Sequence, residues 1–265
     1  MLSLIDTHCH LDMDAYHDDL SEVLRRAEKN HIDRVISVGI DLRSSRAAID
    51  IAQRFASVYA TVGVHPHDVK NINIDTYDKL VTLAAENTNV VVGYGEIGLD
   101  YVKLYSPREV QKKRFIEQLH LAIDLNLPVI IHDREAHEDL ISILKTTPQN
   151  PKGGVIHCFS GNLSMAQLCI EMGYYISIPG VVTFKNAVEL QEIARKINIE
   201  HMLLETDGPF LAPHPFRGKR NEPSYVLNIA EYIAKLRSMD TEQLAMITTK
   251  NANRLFCFER TEKLL

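Results

Sequence analysis

Apolar and polar positions along the chain fall into one repeating pattern, a short β-branched apolar run followed by a longer segment whose apolar residues recur with helical spacing. The runs predict strands over Leu4–His8, Arg34–Val38, Tyr59–Val64, Val90–Gly95, Pro128–His132, Gly154–His157, Tyr174–Ile178 and Met202–Glu205. The segments between them predict helices over Asp19–Asn30, Ser44–Phe55, Asp75–Asn87, Pro107–Leu125, Ala136–Thr146, Leu163–Met172 and Ala187–Ile197. After the eighth run come Pro223–Arg237 and Thr241–Phe256, one closing helix and one extra. Ser106-Pro107-Arg108-Glu109 has capping-box spacing with proline at the first helical position, which predicts where the fourth helix starts. Strands that alternate with helices form a parallel sheet with the helices outside it. The fold class is therefore α/β, and eight repeats predict a TIM (β/α)8 barrel with an additional C-terminal helix. No linker or low-complexity segment interrupts the repeat, so residues 1–265 are expected to form one barrel domain.

Composition changes this picture little: 45% hydrophobic and 24% charged residues over 265 positions are ordinary for a globular protein. Charge is more selective. A formal net charge of −6 argues against a broad basic face gripping duplex nucleic acid, while leaving room for a local pocket that takes one strand end. Four cysteines without a Cys-x-x-Cys pair point to reduced thiols. The chain reaches Asp6 before a signal-peptide core could form, and no apolar run approaches the ~20 residues of a membrane span. A cytoplasmic protein with no membrane association is expected, and no obligate protein partner is inferable from the sequence.

The chemistry lies at the strand ends. In Asp6-Thr7-His8-Cys9-His10 the first apolar run stops at two histidines with one residue between them, a spacing that lets both imidazoles turn toward one point. His8 ends the first predicted strand, and His65, Glu96, His132 and His157 stand at the ends of the third, fourth, fifth and sixth; Asp207 lies two residues past the eighth. In a (β/α)8 barrel all of these meet at the C-terminal mouth, where active sites are built. Taken singly, each has an ordinary reading: His132 or His157 as a core histidine bonded to a carbonyl, Glu96 or Asp207 as a cap. Together, ionisable groups buried without metal or ion pairing would cost several kcal/mol per charge. Four histidines and two carboxylates also exceed what one tetrahedral zinc accepts. We therefore assign His8, His10, Glu96 and Asp207 to one ion and Glu96, His132 and His157 to another, with Glu96 bridging ions ~3.5–4 Å apart. Such a pair activates water for hydrolysis, and Asp207 is the candidate general base.

Seven motifs in order carry a family resemblance. They are Asp6-Thr7-His8-Cys9-His10-Leu11-Asp12, Gly63-Val64-His65-Pro66-His67, Gly95-Glu96-Ile97-Gly98-Leu99-Asp100-Tyr101, His132-Asp133-Arg134-Glu135-Ala136, His157-Cys158-Phe159-Ser160-Gly161, Glu205-Thr206-Asp207 and Arg220-Asn221-Glu222-Pro223. The chain resembles the TatD family of metal-dependent deoxyribonucleases, within the amidohydrolase-like barrels. The resemblance implies a TIM barrel, a site for two divalent ions (Mg, Mn or Zn) at the positions assigned, and phosphodiester hydrolysis of DNA. It further implies 3′→5′ exonuclease action on single-stranded ends through a water activated by two metals. Many amidohydrolases bridge their metals with a modified lysine on the fourth strand; Glu96 takes that place here, as in the TatD branch. Gly208 departs from the pattern, where a small side chain is expected. The alternative from another reaction class is hydrolysis of a C–N or ester bond at the same site, as in D-aminoacyl-tRNA deacylation or an amidohydrolase reaction.

Substrate contacts are read from what surrounds the ligands. Arg134, two residues after His132, is placed to fork a phosphate oxygen, against an ion pair with Glu135 or Asp139. His65, left out of the ligand sets, is a candidate to hold or protonate the leaving oxygen, against a role in supporting the metals. Lys185, Arg217, Lys219 and Arg220 in the late loops are candidates for steering a strand, with Arg220 taken as a substrate contact. Tyr101, Tyr105 and Phe159 are candidates for base stacking. In regular strands, Cys9 and Cys158 would point away from the ions as small core residues.

Overall fold

The computed structural model describes residues 2–258. Leu4–Cys9 (β1), Ile32–Ser37 (β2), Val58–Val62 (β3), Val91–Asp100 (β4), Val129–Arg134 (β5), Gly154–Ile156 (β6), Tyr174–Ile178 (β7) and Met202–Leu204 (β8) pair in parallel, each with the next in sequence. The helices between them are Leu20–Lys29 (α1), Leu42–Arg54 (α2), Ile74–Glu86 (α3), Arg108–Asp124 (α4), His137–Thr146 (α5), Leu163–Glu171 (α6) and Val188–Lys196 (α7). Val226–Arg237 (α8) follows the last strand, and Thr241–Phe256 (α9) is the additional C-terminal helix. The ring closes beyond β8, where the Asp207 N–H donates to the His8 carbonyl at 2.9 Å and the His10 N–H to the Gly208 carbonyl at 2.8 Å. The architecture is the TIM barrel expected.

Alternation along each strand divides the apolar residues between two layers. Ile5, Ile36, Tyr59, Val92, Ile130, Val155 and Leu203 point inward and fill the barrel, and Leu255 and Phe256 at the end of α9, with Phe258 just beyond it, join the same cluster. Their neighbours Leu4, Val35, Ala60, Val91, Val129 and Ile156 face outward against buried helix residues such as Val23, Leu80, Phe115 and Leu140. The interior is thus packed with side chains rather than open. The C-terminal ends of the strands carry the polar groups.

Boundaries depart from expectation where polar side chains do unexpected work. Two helices have reciprocal caps: Asp41 with Ser44 starts α2, and Asn73 with Thr76 starts α3. The Ser106 spacing does not cap α4, which follows Pro107 without a side-chain cap. Ser106 instead donates to the His67 carbonyl (2.8 Å) and accepts from the Lys70 N–H (3.1 Å), tying two loops together. β4 runs past the predicted Gly95 to Asp100, because Gly98, Leu99 and Asp100 pair with His132, Asp133 and Arg134. A glycine past the predicted end is the condition for continuing: Gly98 has φ 140°, and a Cβ there would meet the His132 carbonyl oxygen at 2.0 Å. β2, β3, β6 and β8 stop one to two residues earlier than predicted, and a 3-10 turn, Pro223–Tyr225, precedes α8. No helix among the described residues is long and apolar enough to cross a membrane.

Candidate metal centre

His8 and His10 flank the last residue of β1; His65 lies in the loop after β3, Glu96 in the middle of β4, His132 on β5, His157 directly after β6 and Asp207 in the loop after β8. All seven come together. Six of them line the floor of a cleft of about 900 Å³ at the C-terminal mouth, and His8 lies buried beneath it. Glu96 is at the centre, its two oxygens facing different partners. Oε1 lies 2.8 Å from both His132 Nδ1 and His157 Nε2, and 3.5 Å from His65 Nε2. Oε2 lies 3.5 Å from His8 Nε2 and 3.8 Å from His10 Nε2. Asp207 Oδ1 completes the second side, 3.5 Å from His10 Nε2 and 3.8 Å from His8 Nε2. The His8 and His157 rings stack at 3.9 Å across the two halves.

A metal takes the lone pair of a neutral imidazole, so the nitrogen facing it must be free of its proton and the other nitrogen must carry one. The surroundings fix this for two histidines. His10 Nδ1 is 3.3 Å from the Val38 carbonyl and His132 Nε2 is 3.3 Å from Asp100 Oδ2, whereas His157 Nδ1 makes no hydrogen bond among the described residues, with Glu205 Oε1 3.5 Å away. The Val38 and Asp100 oxygens are acceptors, so in His10 and His132 the proton stays on the outer nitrogen and the inner lone pair faces Glu96 or Asp207. His65 is arranged the other way. Its Nδ1 accepts the backbone N–H of His67 at 3.2 Å, which leaves the proton on the Nε2 that points toward Glu96. His65 is therefore a hydrogen-bond donor to the cleft, although its nitrogen lies close enough to Glu96 and His132 to form a third possible ligand group. The remaining two groups, His8–Glu96–His157 and His8–His10–Asp207, hold donor atoms within 4.8 Å of one another. This nitrogen-and-carboxylate donor set fits divalent transition metals as well as harder ions bound through the carboxylates.

Electrostatics divide the same residues. Burial lowers the pKa of His8, and lowers that of His65 well below the usual histidine value, so both are neutral. Burial works in the same direction on His10, His132 and His157, but is outweighed by Asp207 beside His10, by Asp100 and Glu96 beside His132, and by Glu96 and Glu205 beside His157. These three are raised. Burial opposes the charge on Glu96 and Asp207, yet the facing histidines hold both carboxyls below their ordinary range. In the metal-free protein, protons thus occupy the positions that cations would take.

Three buried acids around this cluster were not singled out from the sequence. Asp6 binds the Thr206 N–H (2.9 Å) and Oγ (2.6 Å), fastening β1 to the segment that carries Asp207; burial pushes its carboxyl up to about 8. Asp100 holds His132 and, at 3.0 Å, His67 Nε2. Glu205 accepts the Cys158 N–H at 2.6 Å beside His157. The two-residue period of a strand would have found two of them, since Asp6 shares a face with His8 and Asp100 with Glu96.

The outer residues divide. Arg134 lines the cleft, is exposed, and makes no ion pair with Glu135 or Asp139. Arg220 does not line the cleft: its guanidinium forks onto Asp19 with two contacts of 2.7 Å and lies over the Tyr16 ring, so it fastens the late loop to the segment before α1. Arg217 lies over Phe184, and Phe159 is a core residue at 2% exposure. Tyr101 bonds Asp139 through its hydroxyl and carries Arg108 over its ring. Cys9 is core as expected, but Cys158 lies on the cleft wall, because its backbone turns to φ 43° just past the short β6. At Gly208 a Cβ would meet the Tyr16 hydroxyl at 2.4 Å, so a side chain at that position has no room here.

Comparison with known proteins gives consistent relatives. The family described as "TatD related DNase" matches residues 5–257. The chain is 44% identical over 253 residues to "Uncharacterized metal-dependent hydrolase YabD" of Bacillus subtilis (strain 168), covering 96% of this chain and 98% of the relative. It is 35% identical over 258 residues to "3'-5' ssDNA/RNA exonuclease TatD" of Escherichia fergusonii, covering 96% and 98%. Among solved structures, the TatD homologue YJJV from Escherichia coli K12 superposes with a TM-score of 0.91 at 30% identity, covering 96% of this chain and 98% of that one.

Proposed function

The chain belongs to the TatD-related DNase family, and from that premise we propose that it removes nucleotides from the 3′ end of a single nucleic-acid strand through a two-ion site. It is a metal-dependent hydrolase of that family. The observation that carries the finer reading is the position of Glu96, with His132 and His157 at one carboxylate oxygen and His8 and His10 at the other. His8, His10, Asp207 and one oxygen of Glu96 would hold one ion; the other oxygen, with His132 and His157, would hold a second. Divalent ions there, Mg²⁺, Mn²⁺ or Zn²⁺, would supply the positive charge that makes water nucleophilic near neutrality and offsets the charge of a phosphate.

The chain's own groups do the rest. Asp207, kept ionised by His10 and open to the cleft, accepts the proton of the attacking water. His65, neutral with its proton on Nε2, holds the leaving oxygen by donating a hydrogen bond; an imidazole kept neutral cannot serve as a cationic acid, so the leaving oxygen takes its proton from solvent while Asp207 returns its own to solvent. Arg134, exposed on the cleft wall, presents its fork to a phosphate oxygen. The 3′→5′ direction and single-stranded preference follow the named activity of the Escherichia fergusonii relative. We take the whole repeat as one barrel domain working in the cytoplasm, with Cys9, Cys158, Cys169 and Cys257 as free thiols.

The test incubates metal-stripped protein with end-labelled single- and double-stranded DNA and RNA across Mg²⁺, Mn²⁺ and Zn²⁺, alongside an ester and a cyclic amide. Stepwise loss from the 3′ end of single strands is expected. Turnover of the amide or ester with no release of nucleotides, in folded and metal-loaded protein, would replace phosphodiester hydrolysis with carbonyl hydrolysis.

A further inference from the structure

We propose that Tyr105 and Phe210 are stacking positions for unpaired bases on opposite sides of the mouth, so that the terminal nucleotides of one strand enter between them. This rests on the nucleic-acid reading above and adds how the strand end is held. Large apolar rings left in water at the rim of a polar cleft call for an explanation. Tyr105 is 57% exposed and Phe210 47%, and both line the cleft whose floor is the histidine–carboxylate cluster. The third ring of the phenylalanine and tyrosine type in that lining, Phe159, is buried and has no face to offer.

Topology sets the two rings across from each other. Tyr105 stands in the loop after β4 and Phe210 in the loop after β8, and in a ring of eight strands in sequence order these are four places apart by either route. Each is held edge-on by a histidine of the cleft wall: Tyr105 against His67 with centroids 4.9 Å apart, Phe210 against His10 at 6.0 Å. T-shaped packing uses a ring's edge or one face and leaves area to which a base can add. The Lys103 ammonium lies 5.8 Å from the Tyr105 centroid, and with Arg134 it places cations where the phosphates of a stacked strand would run.

The occupant follows from the balance of these parts. Every base has a π-face, so two rings bind any sequence, and stacking contributes ~1–3 kcal/mol per base. A paired base has its faces covered within the helix and cannot enter. A chain of net charge −6 with two cations at the cleft gains little from phosphate neutralisation, and a slope of about −1.4 in log K against log salt is expected from two contacts on a single strand. Away from the metal centre, stacking is then the main source of affinity.

The experiment compares the metal-loaded protein with Y105A, F210A, Y105F and, as an exposed apolar residue elsewhere, M246A. The substrates are a single-stranded oligonucleotide with 2-aminopurine at its 3′ end, in DNA and RNA forms, and bis(p-nitrophenyl) phosphate. For Y105A and F210A the ratio of kcat/KM on the oligonucleotide to that on the small diester falls about 5- to 150-fold, and quenching of 2-aminopurine on binding is lost. Y105F and M246A keep both. Alanine variants that retain the ratio within about twofold and the quenching overturn the proposal. If the wild-type protein cleaves neither oligonucleotide, the nuclease reading falls; quenching present in wild type and absent in the alanine variants would then keep the stacking site as a binding site, and no quenching would remove both. Loss of effect in one sugar form alone would assign the site to the other.

Discussion

Asp100 decides which nitrogen of His132 faces the cleft. Its carboxylate is buried, accepts a hydrogen bond from the His132 Nε2–H at 3.3 Å, and uses its other oxygen to accept the N–H groups of Val102 (2.9 Å) and Lys103 (2.8 Å). Asp100→Asn keeps the size but offers its NH₂ or a weaker acceptor, so His132 no longer presents Nδ1 to Glu96 with the same basicity. We predict a 10- to 100-fold loss in affinity for the ion beside His132, read by titration with Co²⁺ and its visible spectrum, with little change in the other. Glu96→Ala removes the shared oxygen pair. Elemental analysis of the loaded variant is expected to give one ion or none per chain in place of two, and full activity in that variant would exclude a bridging role.

Strand β4 shows how an element positions the site and why it was only partly legible. Its ten residues are all buried, and the pair Gly95 and Gly98 lets it pass β5 closely while Glu96 is offered to the centre. From sequence, glycine within an apolar run reads as an end, since glycine weakens an isolated strand. Only the pairing partner, β5, reveals that no side chain fits. Gly98→Ala would force apart Gly98 and the His132 carbonyl, and we predict destabilisation of more than about 2 kcal/mol by urea denaturation together with weakened metal binding. The Ser106 motif failed for a related reason: a capping spacing states what a serine can reach locally, not that a loop carbonyl such as that of His67 competes for it. By contrast, the histidines and carboxylates were legible because each lies at or just past the end of a predicted apolar run, and the parallel barrel collects all such ends on one face. Arg220 and Asp19 lie 201 positions apart, and their fork has no local signature.

At the scale of the molecule, the charged cluster makes stability and metal binding respond to pH in opposite senses. His10, His132 and His157 have pKa values raised by their carboxylate partners in the metal-free protein. Their contribution to the chelated protein's stability is full below the unfolded value of about 6.5 and is lost as pH rises through the raised values. Cations must displace those same protons, so affinity rises with pH and binding releases protons. We predict that Tm of the chelated protein falls, while the gain in Tm on adding metal grows, between pH 6 and pH 9. The corresponding gain in stability is about 2.7 kcal/mol per ion bound at a free ion concentration 100 times Kd. Calorimetry in buffers of different ionisation enthalpy would count the protons.

The hydrogen bonds that join Asp207 to His8 and Gly208 to His10 lie where the first strand meets the segment after the last. A ribosome making this chain delivers Glu96, His132 and His157 by position 157, but must continue to position 207 before the partner of His8 and His10 exists. Translation therefore hands over the two sets of donors at different times, and a nascent protein stalled between those positions would present the makings of one centre without the other.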